Sequence, residues 1–175
     1  MISHQTVNLL GALVMALSDA ETTAIRRAAG LSPSGCAALV SVGQNAGINI
    51  GGLSSILGLT HSVTVRLVER LVEDKLINRV AGTDRRHVVL ELSDFGKARS
   101  AAILKTRAEV ARRLLATLEL EQQRQIEPIL STMLTALTTS RTQADHLCRL
   151  CDETVCQSDS CPVERQARRI EAALP

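Results

Sequence analysis

Aromatic side chains are nearly missing from this chain of 175 residues, which has no Trp, no Tyr and one Phe, Phe95. Any core must therefore be built from Leu, Val, Ile and Ala, a composition that suits close-packed helices. Lys and Arg are missing before Arg26. The apolar stretch VNLLGALVMAL at residues 7–17 thus lacks the cationic flank of a signal peptide, and it is too short to cross a bilayer. It reads as a buried helix, and the chain as soluble and cytoplasmic. Thiols stay reduced in that compartment, so a disulfide framework is the weakest account of the five cysteines. Also missing are a Gly-rich phosphate loop, a nucleophile beside a base, and any carboxylate pair beyond scattered surface acids. These absences speak against an enzyme, and a thiol- or metal-dependent enzyme built on the C-terminal cysteines is kept only as the alternative.

Net charge is small, +2, but unevenly placed. Residues 1–65 balance to 0, residues 66–113 carry +5 and residues 114–175 carry −3. A cationic middle fits a polyanion-binding surface better than the total suggests.

Hydrophobic spacing and capping residues divide the chain into helices around one β-leaning interval. A first helix is expected over residues 5–17 and a short one over 21–29. Ser32 followed by Pro33 starts another, which stops at Gly47. Next comes INIGGLSSILGLT, with Ile50, Leu53, Ile56 and Leu57 on one side and Gly58 at its end. Thr60 then caps HSVTVRLVERLVEDKLI, whose apolar stripe is read as Val63, Leu67, Leu71 and Val68. His61, Ser62, Thr64, Val65, Arg66 and Arg70 are left for the other face. Two helices joined by a tight turn, the second hydroxyl-rich and Arg-bearing, form the pattern of a helix-turn-helix. Residues 78–81 and 87–92 lean to β, with a Gly-Thr-Asp turn, Arg85 and Arg86 between them, so a hairpin with a cationic tip is expected. Ser93 and Asp94 cap a long helix that runs to about residue 118. Another is expected over 121–147, with Ile126, Ile129, Leu130, Met133, Leu134 and Leu137 as its apolar positions and a bend at Pro128.

The segment LSSILGLTHSVTVRLVERLVEDKLINRVAGTDRRHVVLELSDFGKA resembles the winged helix-turn-helix of the MarR family of bacterial transcription regulators. The tightest match is Asp84, Arg85 and Arg86, a short apolar strand, then Leu92, Ser93 and Gly96. With the helical flanks the resemblance covers residues 5–147. It implies a mainly α fold with a small β-hairpin wing and a helical dimerisation domain. It also implies a homodimer, read here as a repressor, on a roughly palindromic double-stranded DNA operator, with room for a small-molecule effector. A dimer sets its recognition helices about one helical turn, roughly 34–36 Å, apart along DNA.

Family members reach the minor groove with a wing arginine, which implies that role for Arg85 or Arg86, with Asp84 holding the hairpin. The residues expected at DNA are His61, Ser62, Thr64, Arg66, Arg70, Asp84, Arg85, Arg86 and His87. A module with this fold and no DNA binding is a further alternative, against which Arg66, Arg70, Arg85 and Arg86 speak. Independent support for the dimer comes from residues 7–17 and 126–137, which are more hydrophobic than surface helices of a small domain require. The expected division is residues 1–30 as N-terminal dimerisation helices, 31–98 as the winged helix-turn-helix, 99–147 as C-terminal dimerisation helices, and 148–175 as a Cys-rich metal-binding extension with a terminal helix.

That extension holds four cysteines in the pattern Cys148-x2-Cys151-x4-Cys156-x4-Cys161, with Pro162 directly after. Cys148 and Cys151 fall one turn apart if helical, and the two longer gaps let the chain wrap back, so four thiolates can close on one ion. Cys161-Pro162-Val163-Glu164 reads as a helix start, with Glu164 placed to help the cap and the Cys161 thiolate at the positive end of the helix dipole. Zn2+ is the preferred occupant and a [4Fe-4S] cluster the second choice, with His146 able to replace one sulfur. Such a centre would let the protein respond to metal or redox state. Cys36 stands alone on an apolar helix; it reads as a core residue, with redox sensing the minor alternative.

Overall fold

A computed structural model describes residues 2–82, 88–156 and 159–173. Helix α1 (His4–Ala29) is one continuous rod rather than the two pieces expected. Nothing between residues 17 and 21 breaks it, because Ser18, Asp19 and Ala20 all tolerate helical backbone. Ser3 caps its start by accepting from the Thr6 amide, and Gly30 ends it in the left-handed conformation at φ 68°. Only Ile25 and Ala29 are buried along its length. The apolar run 7–17, expected to be buried, is open in the single chain: Leu9 is 63% and Met15 64% exposed.

Helix α2 (Pro33–Gln44) begins on Ser32, whose Oγ accepts from the Gly35 amide at 3.1 Å. It ends before Gly47, which turns the chain at φ 77°. Helix α3 (Ile50–Leu57) is capped by Asn49 and closed by Gly58 at φ 64°, and α4 (His61–Glu73) starts on Thr60. Strands β1 (Ile77–Ala81) and β2 (Val88–Leu92) pair antiparallel with Ile77 opposite Leu92. The Leu90 amide also donates to the Ile48 carbonyl at 2.8 Å, tying the hairpin to the approach of α3.

Helix α5 (Asp94–Leu115) packs along α1 and α2. The expected helix over 121–147 is two: α6 (Leu120–Leu137) and α7 (Arg141–Cys148). Thr138 Oγ1 turns back to the Leu134 carbonyl, and Ser140 caps the new helix by accepting from the Gln143 amide. Pro128 sits inside α6. Finally α8 (Pro162–Ala172) packs on α6 and α7.

The main core is built from aliphatic side chains and the thiol of Cys36. Leu39, Leu53, Leu71, Ile77, Leu90 and Ile103 are shut from solvent, while Phe95 is 75% exposed and contributes nothing. A separate small core gathers Ala144, Cys161, Val163 and Ala167, with Leu134, Leu147, Cys148 and Cys156 at its margin. The architecture is that of a winged helix with helical extensions at both ends.

Candidate nucleic-acid surface and thiol cluster

The turn between α3 and α4 is fixed by two hydroxyls. Thr64 Oγ1 donates to the Thr60 carbonyl at 3.0 Å and lies 3.0 Å from Ser54 Oγ, which in turn reaches the Leu59 carbonyl at 3.3 Å. Thr64 is therefore fully buried, which corrects its placement among the residues facing DNA. A threonine can sit inside a helix face when its hydroxyl bonds back to the preceding turn. The apolar stripe shifts accordingly: Val68 and Leu71 are buried, whereas Val63, expected inside, is 43% exposed. His61, Ser62, Arg66 and Arg70 are all exposed, and Val65 is half-buried. Glu69, which sequence reasoning passed over, shares the exposed side. The wing residues Asp84, Arg85, Arg86 and His87 lie outside the described residues.

The Leu-Ser-x-x-Gly part of the wing signature has a steric origin. Ser93 donates through its amide to the Leu76 carbonyl at 3.1 Å and through Oγ to the Lys75 carbonyl at 2.6 Å. The same Oγ accepts from the Gly96 amide at 3.0 Å, starting α5. A Cβ on Gly96 would lie 2.0 Å from the Leu76 carbonyl oxygen, so the end of α4's exit and the start of α5 can cross only over a glycine.

At the other end of the chain, all four C-terminal cysteines line one cavity of about 500 Å³. Cys148 ends α7, the Cys151 amide donates to the Cys148 carbonyl at 2.7 Å in the turn that follows, and Cys161 is the N-cap of α8. The sulfurs form two hydrogen-bonded pairs, Cys148 with Cys151 and Cys156 with Cys161. Within the first pair Cys148 is pushed up, by its hydrogen bond to Cys151 and by burial. Cys151 is pulled down, first by that same hydrogen bond and then by the guanidinium of Arg107. Burial, followed by the hydrogen bond to Cys161, pushes Cys156 up. Among the described residues no three His, Cys, Asp or Glu side chains are arranged to hold a metal ion as they stand.

His146 is spent elsewhere, its Nδ1 lying 2.9 Å from the Ile56 carbonyl of α3. Glu164, expected to help cap α8, instead binds Arg141 at 2.7 Å and Arg168 at 2.8 Å. Cys36 is fully buried in the main core, and burial pushes its thiol up, which disfavours the reactive thiolate. Gln44 and Arg107 also reach the cysteine turn, with Gln44 Nε2 2.6 Å from the Cys151 carbonyl and Arg107 Nη1 3.1 Å from that of Leu150. Both contacts span long stretches of sequence, and no local pattern signals them.

Residues 22–87 match the model of the MarR family, a stretch that takes in the helix-turn-helix and ends before the four C-terminal cysteines. No curated protein matches the sequence. Among solved structures, YusO of Bacillus subtilis superposes with a TM-score of 0.66 at 22% identity, over 77% of this chain and 99% of that one. MepR, a transcription regulator of the Staphylococcus aureus multidrug efflux pump MepA, gives a TM-score of 0.65 at 18% identity over 78% and 99%. A MepR mutant bound to an oligodeoxyribonucleotide gives 0.58 at 18% identity over 78% and 99%. These likenesses establish the winged-helix fold. Among the described residues no helix is long and apolar enough to cross a membrane.

Proposed function

We propose that this chain is a DNA-binding transcription regulator of the MarR type, acting as a homodimeric repressor rather than as an enzyme. One observation carries the reading: α4 is locked from behind by Thr64 and leaves His61, Ser62, Arg66 and Arg70 exposed together, inside the stretch that matches the family. Short polar groups and cations on one helix face meet both demands of duplex DNA, base edges in the major groove and phosphates beside it. The DNA-bound MepR mutant supports the same use of this fold.

The second copy is supported by the apolar surface that the single chain leaves open. Leu9, Leu13 and Met15 on α1 and Ile129, Leu130, Met133 and Leu137 on α6 are exposed. Those helices are the two end segments of the winged-helix body, and a two-fold axis would cover both sets with one self-complementary contact. The test is binding to a duplex selected from a random DNA library. The expected result is affinity that falls steeply with salt, and an R66A/R70A variant that is folded but weakened by about tenfold or more with a shallower salt slope. Unchanged affinity and salt slope in that variant would remove α4 from the interface.

A further inference from the structure

We propose that Cys148, Cys151, Cys156 and Cys161 form a tetrathiolate metal centre, filled by Zn2+ or an iron–sulfur cluster, that braces the helix-turn-helix against the C-terminal helices. The bracing rests on the DNA-binding reading above, whereas the metal centre itself does not. Four soft donors open on one cavity, with Cys148 at the end of α7, Cys151 in the turn that follows and Cys161 at the start of α8. Sulfurs on a tetrahedral zinc stand about 3.8 Å apart, given Zn–S bonds of about 2.3 Å, and no three donors among the described residues hold that arrangement as they stand, so an ion must draw the thiols together. Each thiol releases its proton as its sulfur–metal bond forms.

The surroundings suit the charge that results. Four thiolates around a divalent ion leave a net negative centre, and two guanidiniums are placed to meet it: Arg107 on Cys151 and Arg149 in the cavity wall. Of the acids that line the cavity, Asp145 and Glu164 are already paired with Arg141, and Glu164 also with Arg168, which leaves Glu153. The need for a staple is equally plain. Helix α8 is held by a core of four buried residues, two of them alanine and one of them Cys161. A core of that size buries little apolar surface, and a structural metal would add to it and to the Arg141 ion pairs the kind of staple that small folds use.

The centre is joined to the reading head on three sides. Gln44 at the end of α2 binds the Cys151 carbonyl, Arg107 of α5 binds that of Leu150, and His146 meets the Ile56 carbonyl of α3. The His146 ring also sits against Gly58, where a Cβ would lie 3.4 Å from its Cε1, directly under the turn into α4. Leu150, between two of the cysteines, packs on the main core. Closing the thiols on a metal therefore fixes the segment on which the α3–α4 turn leans, and losing it releases that support.

The test uses full-length protein purified without oxygen, analysed for metal and by visible absorption, then compared before and after chelation in DNA binding. Expected are stoichiometric zinc, or iron with a band near about 400 nm, loss of that metal in a C156S/C161S variant, and its retention in C36A. Chelation should weaken DNA binding by about 5- to 150-fold, and Zn2+ added back to a zinc protein should restore it. Metal-free protein that takes up no Zn2+, or whose cysteines prove paired as disulfides, overturns the centre. Metal-bound protein whose DNA affinity survives chelation overturns the bracing. Metal-bound protein that binds no DNA in any state counts against the DNA-binding reading and leaves the centre standing.

Discussion

Gly96 and Thr64 show how much a single atom decides here. A methyl at Gly96 would meet the Leu76 carbonyl oxygen at 2.0 Å, against backbone that cannot step aside. G96A should lower stability by about 3 kcal/mol, read as a shifted urea midpoint with unchanged slope. Thr64 is buried with its hydroxyl in two hydrogen bonds. T64V keeps the shape and loses both bonds, so it should cost about 1 kcal/mol while leaving the DNA affinity of the folded protein unchanged. A large affinity loss at full folding would return Thr64 to the DNA face. The sequence pattern put it there because a threonine counts as polar in a periodicity, whereas its hydroxyl can be satisfied by Thr60 and Ser54 without any water.

At the level of elements, the legible features were the local ones. Ser32, Thr60 and Ser93 each cap a helix by accepting from the amide three residues on, and Gly58 ends α3 with a positive φ, all within reach of a few neighbouring residues. The hairpin was legible for the same reason. What escaped was set by distant partners. The break between α6 and α7 places Arg141 against Glu164, and the continuity of α1 lets it pack along α5. Of the cysteine site, spacing revealed the donors, but not Gln44, Arg107 or the occupation of His146 by α3. The cap on α4 gives an element-scale prediction. Thr60 Oγ1 accepts from the Val63 amide at 3.4 Å, and the Thr60 carbonyl anchors Thr64, so T60A should cost about 1 kcal/mol. Hydrogen exchange should show faster opening in the first turn of α4, with the last turn unaffected.

Across the whole molecule, two attachments decide whether the ends of the chain work as one body. The first is Arg141, which bridges α7 to α8 through Glu164 at 2.7 Å and Glu171 at 4.0 Å while Asp145 of its own helix holds it at 3.0 Å. Hydrogen bonding to Arg141, and then to Arg168, holds the Glu164 carboxyl below its ordinary value. A lowered carboxylate pKa stabilises above the unfolded-state value of about 4.3 and loses that contribution as pH falls through the folded value. Exchange in α8 should therefore rise on acidification below about pH 4.3, and the rise attributable to this group should be absent in E164Q. The second is the proposed contact with another copy of the chain. Leu13 on α1 is 47% exposed and Leu130 on α6 is 45% exposed, an apolar surface that a second copy would cover. Light scattering should give twice the chain mass for the natural protein. A glutamate at both positions would put four carboxylates into one apolar contact, each too costly to bury unpaired, and should yield folded monomers. Because each monomer then holds one half-site alone, DNA affinity should fall by about a hundredfold or more, even though α4 and the cysteine cavity are untouched. Monomers that keep full affinity would show that one winged helix suffices, and a double variant that stays dimeric would move the interface away from α1 and α6.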